Sequence, residues 1–254
     1  MDRIAGEVVM LSAFGGDHNY FHWMLDVLPR IELLSRAGID VRGSRVLVNA
    51  GSSAFHRETL AHFGISNVVD ATRHHFVEAD TLVVPSLPGV MGDITEASWR
   101  FIRHSFLSDA TPAQAYTGKR LFISRRDSVN RRLLNEDELF ALASRRGFER
   151  VELHGMSLRQ QAALFHSATA IIAPHGAGLT NLAFCSPGTT VMELFSPKYV
   201  NGCYWALSNL ASLDYWYLLG DGERPAADDA HAAAGEHFRV DPERFVNLLD
   251  RAGR

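Results

Sequence analysis

Ala168-Thr-Ala-Ile-Ile-Ala-Pro-His-Gly-Ala-Gly-Leu-Thr-Asn-Leu182 is the stretch whose reading decides the fold. Thr169 to Ala173 is short, apolar and β-branched, as suits a strand covered on both faces. Pro174 ends it, because proline has no N–H to give to the ladder. Gly176 and Gly178 let the backbone turn tightly and come close to a ligand. Thr180 and Asn181 then place polar side chains where a helix start leaves N–H groups unpaired. A strand, a glycine turn and a helix start in succession form an anion-binding arrangement. An ordinary strand-to-helix loop accounts equally well for a lone glycine pair, so the reading depends on what flanks it.

Upstream lies Lys119-Arg-Leu-Phe-Ile-Ser-Arg-Arg126, a second β-type run that ends in Ser124 and two arginines, with Arg131 and Arg132 close behind. The planar, permanently charged guanidinium matches phosphate oxygens, so Arg125 and Arg126 at a strand's carboxyl end read as a diphosphate clamp. Downstream, Thr189-Thr-Val-Met-Glu-Leu-Phe195 is a third strand whose apolar run is broken by Glu193. A carboxylate there has the role of accepting hydrogen bonds from ribose hydroxyls. The three segments together read as a nucleotide site.

Outward from this centre the elements alternate strand and helix, the signature of parallel sheets with crossover helices. Strands are expected at 7–12, 45–49, 68–69 and 81–84. Helices are expected at 19–36, with Pro29 as a kink or break, and at 54–63 and 94–107. Ser108 to Gly118 has no sustained apolar period and reads as a linker, which puts one domain at 1–114 and a second at 115–254. The second repeats the alternation, with strands at 120–124, 150–153, 169–173, 189–195 and 215–219 and helices at 136–146, 158–166, 199–210 and 242–249. Residues 221–236, polar and alanine-rich, read as a solvated loop.

At 254 residues and a formal net charge of −4, the chain lacks the basic excess of a general nucleic-acid binder. No apolar run approaches the ~20 residues of a membrane span, and no basic-then-apolar leader opens the sequence. Cys185 and Cys203 fit no metal spacing and read as free thiols of a reducing compartment, with a single disulfide as the alternative. The expectation is a cytoplasmic protein, peripheral at most to the inner face of the membrane.

A further chemistry-bearing stretch is Asp17-His-Asn-Tyr-Phe-His-Trp-Met-Leu-Asp26, after the pair Gly15-Gly16. His18 and His22 are four residues apart, as are His22 and Asp26, so on a helix they stack along one face. Asp26 would orient His22 and support its imidazolium while His22 takes a proton. Asp17 reads equally well as an N-cap. The zinc-helix reading lacks its glutamate, since position 19 is Asn, and no metal site is expected.

In Asn19-Tyr-Phe-His-Trp-Met-Leu-Asp-Val-Leu-Pro-Arg30, in Ile123-Ser-Arg-Arg126 and in Pro174-His-Gly-Ala-Gly-Leu-Thr-Asn181 with Pro187-Gly188 and Glu193, the sequence resembles glycosyltransferase family 61, in its bacterial, capsular-polysaccharide-type branch. The resemblance spans about residues 15 to 220. It implies a GT-B-type α/β fold of two Rossmann-like domains with mostly parallel sheets facing a central cleft. It also implies a nucleotide-sugar donor, UDP-linked by expectation, a glycan or other hydroxyl acceptor, and inversion of the anomeric centre without an obligatory metal or other cofactor.

In that setting His22 is the expected base with Asp26 behind it, and Asp17, His18 and Asn19 lie on the acceptor side. Ser124, Arg125, Arg126, His175, Gly176, Ala177, Gly178, Leu179, Thr180, Asn181 and Glu193 lie on the donor side, with His175 on the donor's phosphate or sugar. The last helix of GT-B proteins often crosses back onto the first domain, and the same is expected of 242–249. Family members carry more sequence ahead of the histidine motif, which implies a shortened first domain, a fragment or a start codon assigned downstream. Two other readings remain open: a non-catalytic nucleotide-sugar-binding relative, and a metal hydrolase using His18, His22 and His175.

Overall fold

The computed structural model describes residues 2–51, 53–71, 76–107, 118–223 and 235–253. The chain divides into two compact α/β units, Met1–Ser108 and Asp109–Arg254. The boundary expected at 114/115 and most of the expected linker fall in 108–117, outside the described residues, as does 224–234 of the expected solvated loop.

The first unit contains β1 (Asp2–Leu11), α1 (Tyr20–His22), α2 (Arg30–Arg36), β2 (Arg45–Val48), α3 (Ala54–His62), β3 (Val68–Asp70), β4 (Val77–Val83) and α4 (Glu96–Leu107). Its strands pair in parallel in the order β3-β2-β1-β4. β1 and β2 lie inside the sheet and bury Val8, Val9, Leu11, Val46 and Val48. The helix expected over 19–36 is broken at Pro29, which caps α2. A single π-helical turn, Trp23–Val27, which no sequence period announced, lies between α1 and that break. Such turns occur disproportionately at functional sites.

The second unit contains β5 (Lys119–Ile123), α5 (Glu136–Ser144), β6 (Phe148–Val151), α6 (Leu158–His166), β7 (Ala168–Pro174), a 3₁₀ helix (Ala177–Phe184), β8 (Thr190–Phe195), α7 (Cys203–Leu210), β9 (Asp214–Leu219) and α8 (Pro242–Ala252). The order is β6-β5-β7-β8-β9, all parallel. Ile171, Ile172, Val191 and Leu194 are fully buried in the two strands at its centre, as a sheet covered on both faces requires. α8 starts at a built cap, with Asp241 accepting from the Arg244 N–H and Pro242 in the first turn. Its Phe245, Leu248, Leu249 and Ala252 join Phe122, Leu139 and Met192 in one core. The apolar face of α8 is thus used within its own unit. Cys185 and Cys203 are not joined in a disulfide.

Each sheet has one place where the connections leave neighbouring strands in opposite directions. In the first unit it lies between β1 and β4, in the second between β5 and β7. In open parallel sheets the crevice outside the carboxyl ends of such a pair is where ligands bind.

Candidate active site

At the carboxyl end of β1 the chain turns through Ser12–Asp17 before α1. The loop is held from three sides. Asn49, just past β2, accepts from the Ala13 N–H (3.3 Å) and donates to the Ala13 carbonyl (2.6 Å). Buried His56 of α3, kept neutral by a pKa lowered through burial, donates from Nε2 to the Gly16 carbonyl at 2.8 Å. Arg30, 3% exposed, donates to the carbonyls of Ser12 and Pro85, both at 2.5 Å, and so joins the strand ends on either side of the crossover point. Against this loop lies His22, whose Nδ1 is 2.7 Å from Asp26 Oδ2. Gly15 has φ +75°, and a Cβ there would stand 2.8 Å from His22 Cδ2, so both the turn and the ring need glycine. A carboxylate only accepts hydrogen bonds, so Nδ1 carries the hydrogen, and in its neutral form the ring presents Nε2 as acceptor. The Asp26 side chain is 2% exposed and that of His22 22%, which buries the charge and leaves the ring within reach.

In the second unit a pocket of about 150 Å³ lies between the carboxyl ends of β5 and β7, lined by Ser124, Arg125, Pro174, Gly176 and Gly178 among others. The Arg125 guanidinium lies directly on Gly176, where any Cβ would overlap it. It donates to Ser128 Oγ (2.8 Å) and to the Asn130 carbonyl (3.2 Å). Burial, followed by the charge of Arg131, holds Arg125 below its ordinary pKa, and an arginine so shifted is still a cation. The 3₁₀ helix makes its first bond from Leu179 N–H to the Gly176 carbonyl, so the amides of Ala177 and Gly178 precede its ladder.

Behind this turn His175 Nδ1 meets Glu193 Oε1 at 2.5 Å, and the Tyr215 hydroxyl donates to Glu193 Oε2 at 2.5 Å. The His175 ring stacks on Phe195 (5.1 Å between centroids) and is flanked by Tyr199 and Tyr204, both at 5.3 Å. Burial and the Glu193 charge raise the pKa values of Tyr215, Tyr204 and Cys203, the thiol being pushed up to about 12.

Two larger open depressions in the first unit, about 810 and 1140 Å³, lie over α2, α3 and α4 and include no residue of these loops. Arginines on the second are already paired, Arg36 with Glu32 and Arg100 with Glu96. Among the described residues no three His, Cys, Asp or Glu side chains form a group able to hold a metal ion.

The sequence profile described as Glycosyltransferase 61 matches residues 20–192. The chain belongs to glycosyltransferase family 61. Among its relatives is the "EGF domain-specific O-linked N-acetylglucosamine transferase" of Drosophila melanogaster, 31% identical over 140 residues, or 52% of this chain and 26% of that protein. The mouse protein of the same name is 31% identical over 144 residues, 52% of this chain and 27% of that one. The "Beta-1,2-xylosyltransferase" of Arabidopsis thaliana is 28% identical over 152 residues, 50% of this chain and 28% of that one. The chain thus spans about a quarter of the length of the curated relatives it matches.

Family 61 membership frames where the expected residues come to lie. His22 and Asp26 are joined as the spacing predicts. His18 is not on their face: it precedes α1, is exposed, and pairs with Asp17 at 2.9 Å. The N-cap of α1 is Asn19, which accepts from the Phe21 N–H, and not Asp17. Arg125, Gly176 and Gly178 meet at the pocket, with Ala177 following Gly176 in the same turn.

Other donor-side side chains are engaged by partners within the protein. Arg126 turns to α5 and pairs with Glu136 and Asp137, acids that also engage Arg150, so the expected Arg125–Arg126 clamp has only one arm at the pocket. Ser124 gives its hydroxyl to Glu136 Oε1 at 2.7 Å. Leu179, Thr180 and Asn181 are buried, and Asn181 donates to Gln161 Oε1 and the Gly178 carbonyl, bracing the turn from within. Glu193 is fully buried with both oxygens bonded, which corrects its expected place on a ribose.

The residue missed altogether is Glu136. Buried at the start of α5, it accepts from Ser124 Oγ, the Arg125 N–H and Arg126 Nε, and so fixes the loop after β5. The acid pair Glu136-Asp137, ten residues after two arginines, was the available signal.

Proposed function

We propose that the protein is a GT-B-type, inverting glycosyltransferase. It moves a sugar from a nucleotide-sugar donor, UDP-linked, to a hydroxyl of a glycan in cell-envelope or capsular polysaccharide, with no obligatory metal. The observation that carries this reading is the His22–Asp26 pair: a histidine held in one tautomer by a buried carboxylate, with its other nitrogen open, at the ligand-binding end of a parallel sheet. Membership of family 61 and relatives named as N-acetylglucosamine and xylosyl transferases support it.

The chemistry is a single displacement. The acceptor oxygen bonds to the anomeric carbon as the bond from that carbon to the diphosphate oxygen breaks on the opposite face. The hydroxyl proton passes to His22 Nε2, and Asp26 stabilises the imidazolium so formed. Negative charge leaves with the diphosphate and is met by Arg125 and the amides of Ala177 and Gly178, which act as an electrophilic clamp. Glu193 and Tyr215 keep His175 fixed under the donor turn.

Incubating the purified protein with a panel of UDP-, GDP-, CDP- and dTDP-sugars, with nucleotide release as readout, tests the proposal. Release of one nucleotide diphosphate, lost in His22→Ala, is the expected result. No release from any donor, together with no thermal stabilisation by any nucleotide, would overturn it.

A further inference from the structure

The loop that seats His22 is locked along its backbone, and one side chain on it is left outside. Asn49 and buried His56 hold Ala13 and Gly16, and a Cβ on Gly16 would stand 3.0 Å from Val27 Cγ2. The Asp17 carbonyl lies on the bare backbone of Gly51, where any Cβ would run into it. Ala13, Gly15 and Gly16 are buried, yet Phe14 between them is 77% exposed. The backbone is fixed on both sides, so the fold itself holds this ring in solvent. A phenylalanine in a core buries roughly 150–250 Å², and holding it out forgoes that gain.

The place is the ligand-binding end of the parallel sheet, and Phe14 is next to the glycine on which the His22 ring rests. His18 ends the same loop, with Nδ1 held by Asp17 at 2.9 Å and its side chain exposed, so its other nitrogen is open to a hydrogen-bonding ligand. Phe76, 73% exposed, lies just ahead of β4 and therefore at the opposite, amino end of the sheet. A phenyl ring has no polar atom with which to select a hydroxyl or a charge. It recognises an apolar face, and its negative π-cloud favours polarised C–H groups. A pyranose chair has such a face: C–H groups point to one side while the hydroxyls project from the rim. A serine side chain has none.

We propose that Phe14 is the platform on which a pyranose ring of the acceptor stacks, with a rim hydroxyl turned to His22. The inference rests on the transferase reading above and names the acceptor class: a glycan whose sugar offers an apolar C–H face, not a peptide hydroxyl. Phe14 sets the plane of the sugar, His18 binds at its rim, and His22 takes the proton of the attacking hydroxyl.

Saturation-transfer-difference NMR on the full chain, with no donor present, tests this. The probes are methyl β-glucopyranoside, methyl β-galactopyranoside and methyl β-xylopyranoside, with N-acetylserinamide as the peptide hydroxyl, against wild type, Phe14→Ala, Phe14→Tyr and Phe76→Ala. Wild type should transfer saturation to at least one glycoside, most strongly to the protons of one ring face, and not to N-acetylserinamide. Phe14→Ala should weaken that binding about three- to tenfold, and Phe14→Tyr, which keeps the ring, should restore it. Phe76→Ala removes an equally exposed phenyl from the other end of the sheet and should change nothing. Melting temperatures should match wild type throughout, because both positions are exposed. Equal saturation in wild type and Phe14→Ala, an equal loss in Phe76→Ala, saturation of N-acetylserinamide alone, or no saturation at all would each overturn the platform. Nucleotide release that is lost in His22→Ala would leave the transferase reading standing after any of these results. Absence of both release and nucleotide stabilisation would strike that reading by itself, whatever the glycosides show.

Discussion

Each unit pairs a histidine Nδ1 with a buried carboxylate, and these two pairs are built for opposite ends. His22 and Asp26 lie four residues apart in one helical turn, and the ring keeps 22% of its surface open. His175 and Glu193 come from adjacent parallel strands. That ring keeps 6% and is enclosed by Phe195, Tyr199 and Tyr204, while the acid is closed off completely and also accepts from Tyr215. The bond is the same, but the open ring can trade a proton with a bound hydroxyl, whereas the enclosed one braces a turn. A histidine–carboxylate pair therefore does not define a catalytic base until the second nitrogen's access is known.

The sharpest way to break this contrast is to remove each ring. His22→Ala should lower transfer by ~10² to 10⁴, the range for a positioned base, with donor affinity close to wild type. His175→Ala should instead weaken donor binding and lower the melting temperature, because it opens a cavity under the turn that carries Arg125 and Gly176. Transfer rates and nucleotide titrations on both variants check this. Equal rate losses at unchanged affinity would put both histidines in the chemistry.

A smaller effect comes from the acids. Glu193→Gln should cost about 1–3 kcal/mol of stability, since one amide cannot accept from both His175 Nδ1 and the Tyr215 hydroxyl and one buried donor is left without an acceptor. The preference for UDP over 2′-deoxy-UDP should be intact. Loss of that preference at unchanged melting temperature would return Glu193 to the ribose. Asp26→Asn should reduce transfer less than His22→Ala does, because the amide oxygen can still accept from Nδ1 while the charge is gone. Denaturant titrations beside turnover separate the two outcomes.

What the sequence disclosed and what it withheld divide along the same line. The strand, glycine turn and β-type runs are local patterns, and the Pro29 break and the His22–Asp26 spacing are set within a few residues, so all could be read directly. The fate of Glu193 could not, because it is decided by strand register. Ala173 pairs with Glu193 and Val191 with Tyr215, so His175, two residues past Ala173, and Tyr215, two before the partner of Glu193, share its face of the sheet. Arg126 was misread for the same reason: whether an arginine meets a phosphate or an acid depends on where α5 brings Glu136 and Asp137. The π turn is stabilised by packing of Trp23 through Val27 in the core, which carries no period of its own. Interior wiring of this kind is tertiary, and a one-residue slip in the register of β8 would send Glu193 to the opposite face.

The smallest expected effect lies in the surroundings of Glu193. Its charge, added to burial, keeps Tyr204, Tyr215 and Cys203 protonated beyond their ordinary range, with Cys203 pushed up to about 12 from an ordinary 9.0. In the unfolded chain the thiol ionises near pH 9, while in the folded chain it keeps its proton. The folded state therefore binds more protons above that pH, and stability must fall as pH rises. The contribution of Cys203 is fully present below about pH 9 and is lost progressively as pH climbs toward about 12. Denaturation midpoints at pH 8 and pH 10 should show the decline, and Cys203→Ala should make it shallower. Because the thiolate is the reactive form, iodoacetamide should label Cys203 in the native protein at pH 8.5 far more slowly than an exposed cysteine. Glu193→Gln removes one of the two causes and should speed that labelling. Labelling of wild-type Cys203 at the rate of an exposed thiol would mean that neither burial nor the Glu193 charge reaches it, and the enclosed pair of the second unit would then be as open as the first.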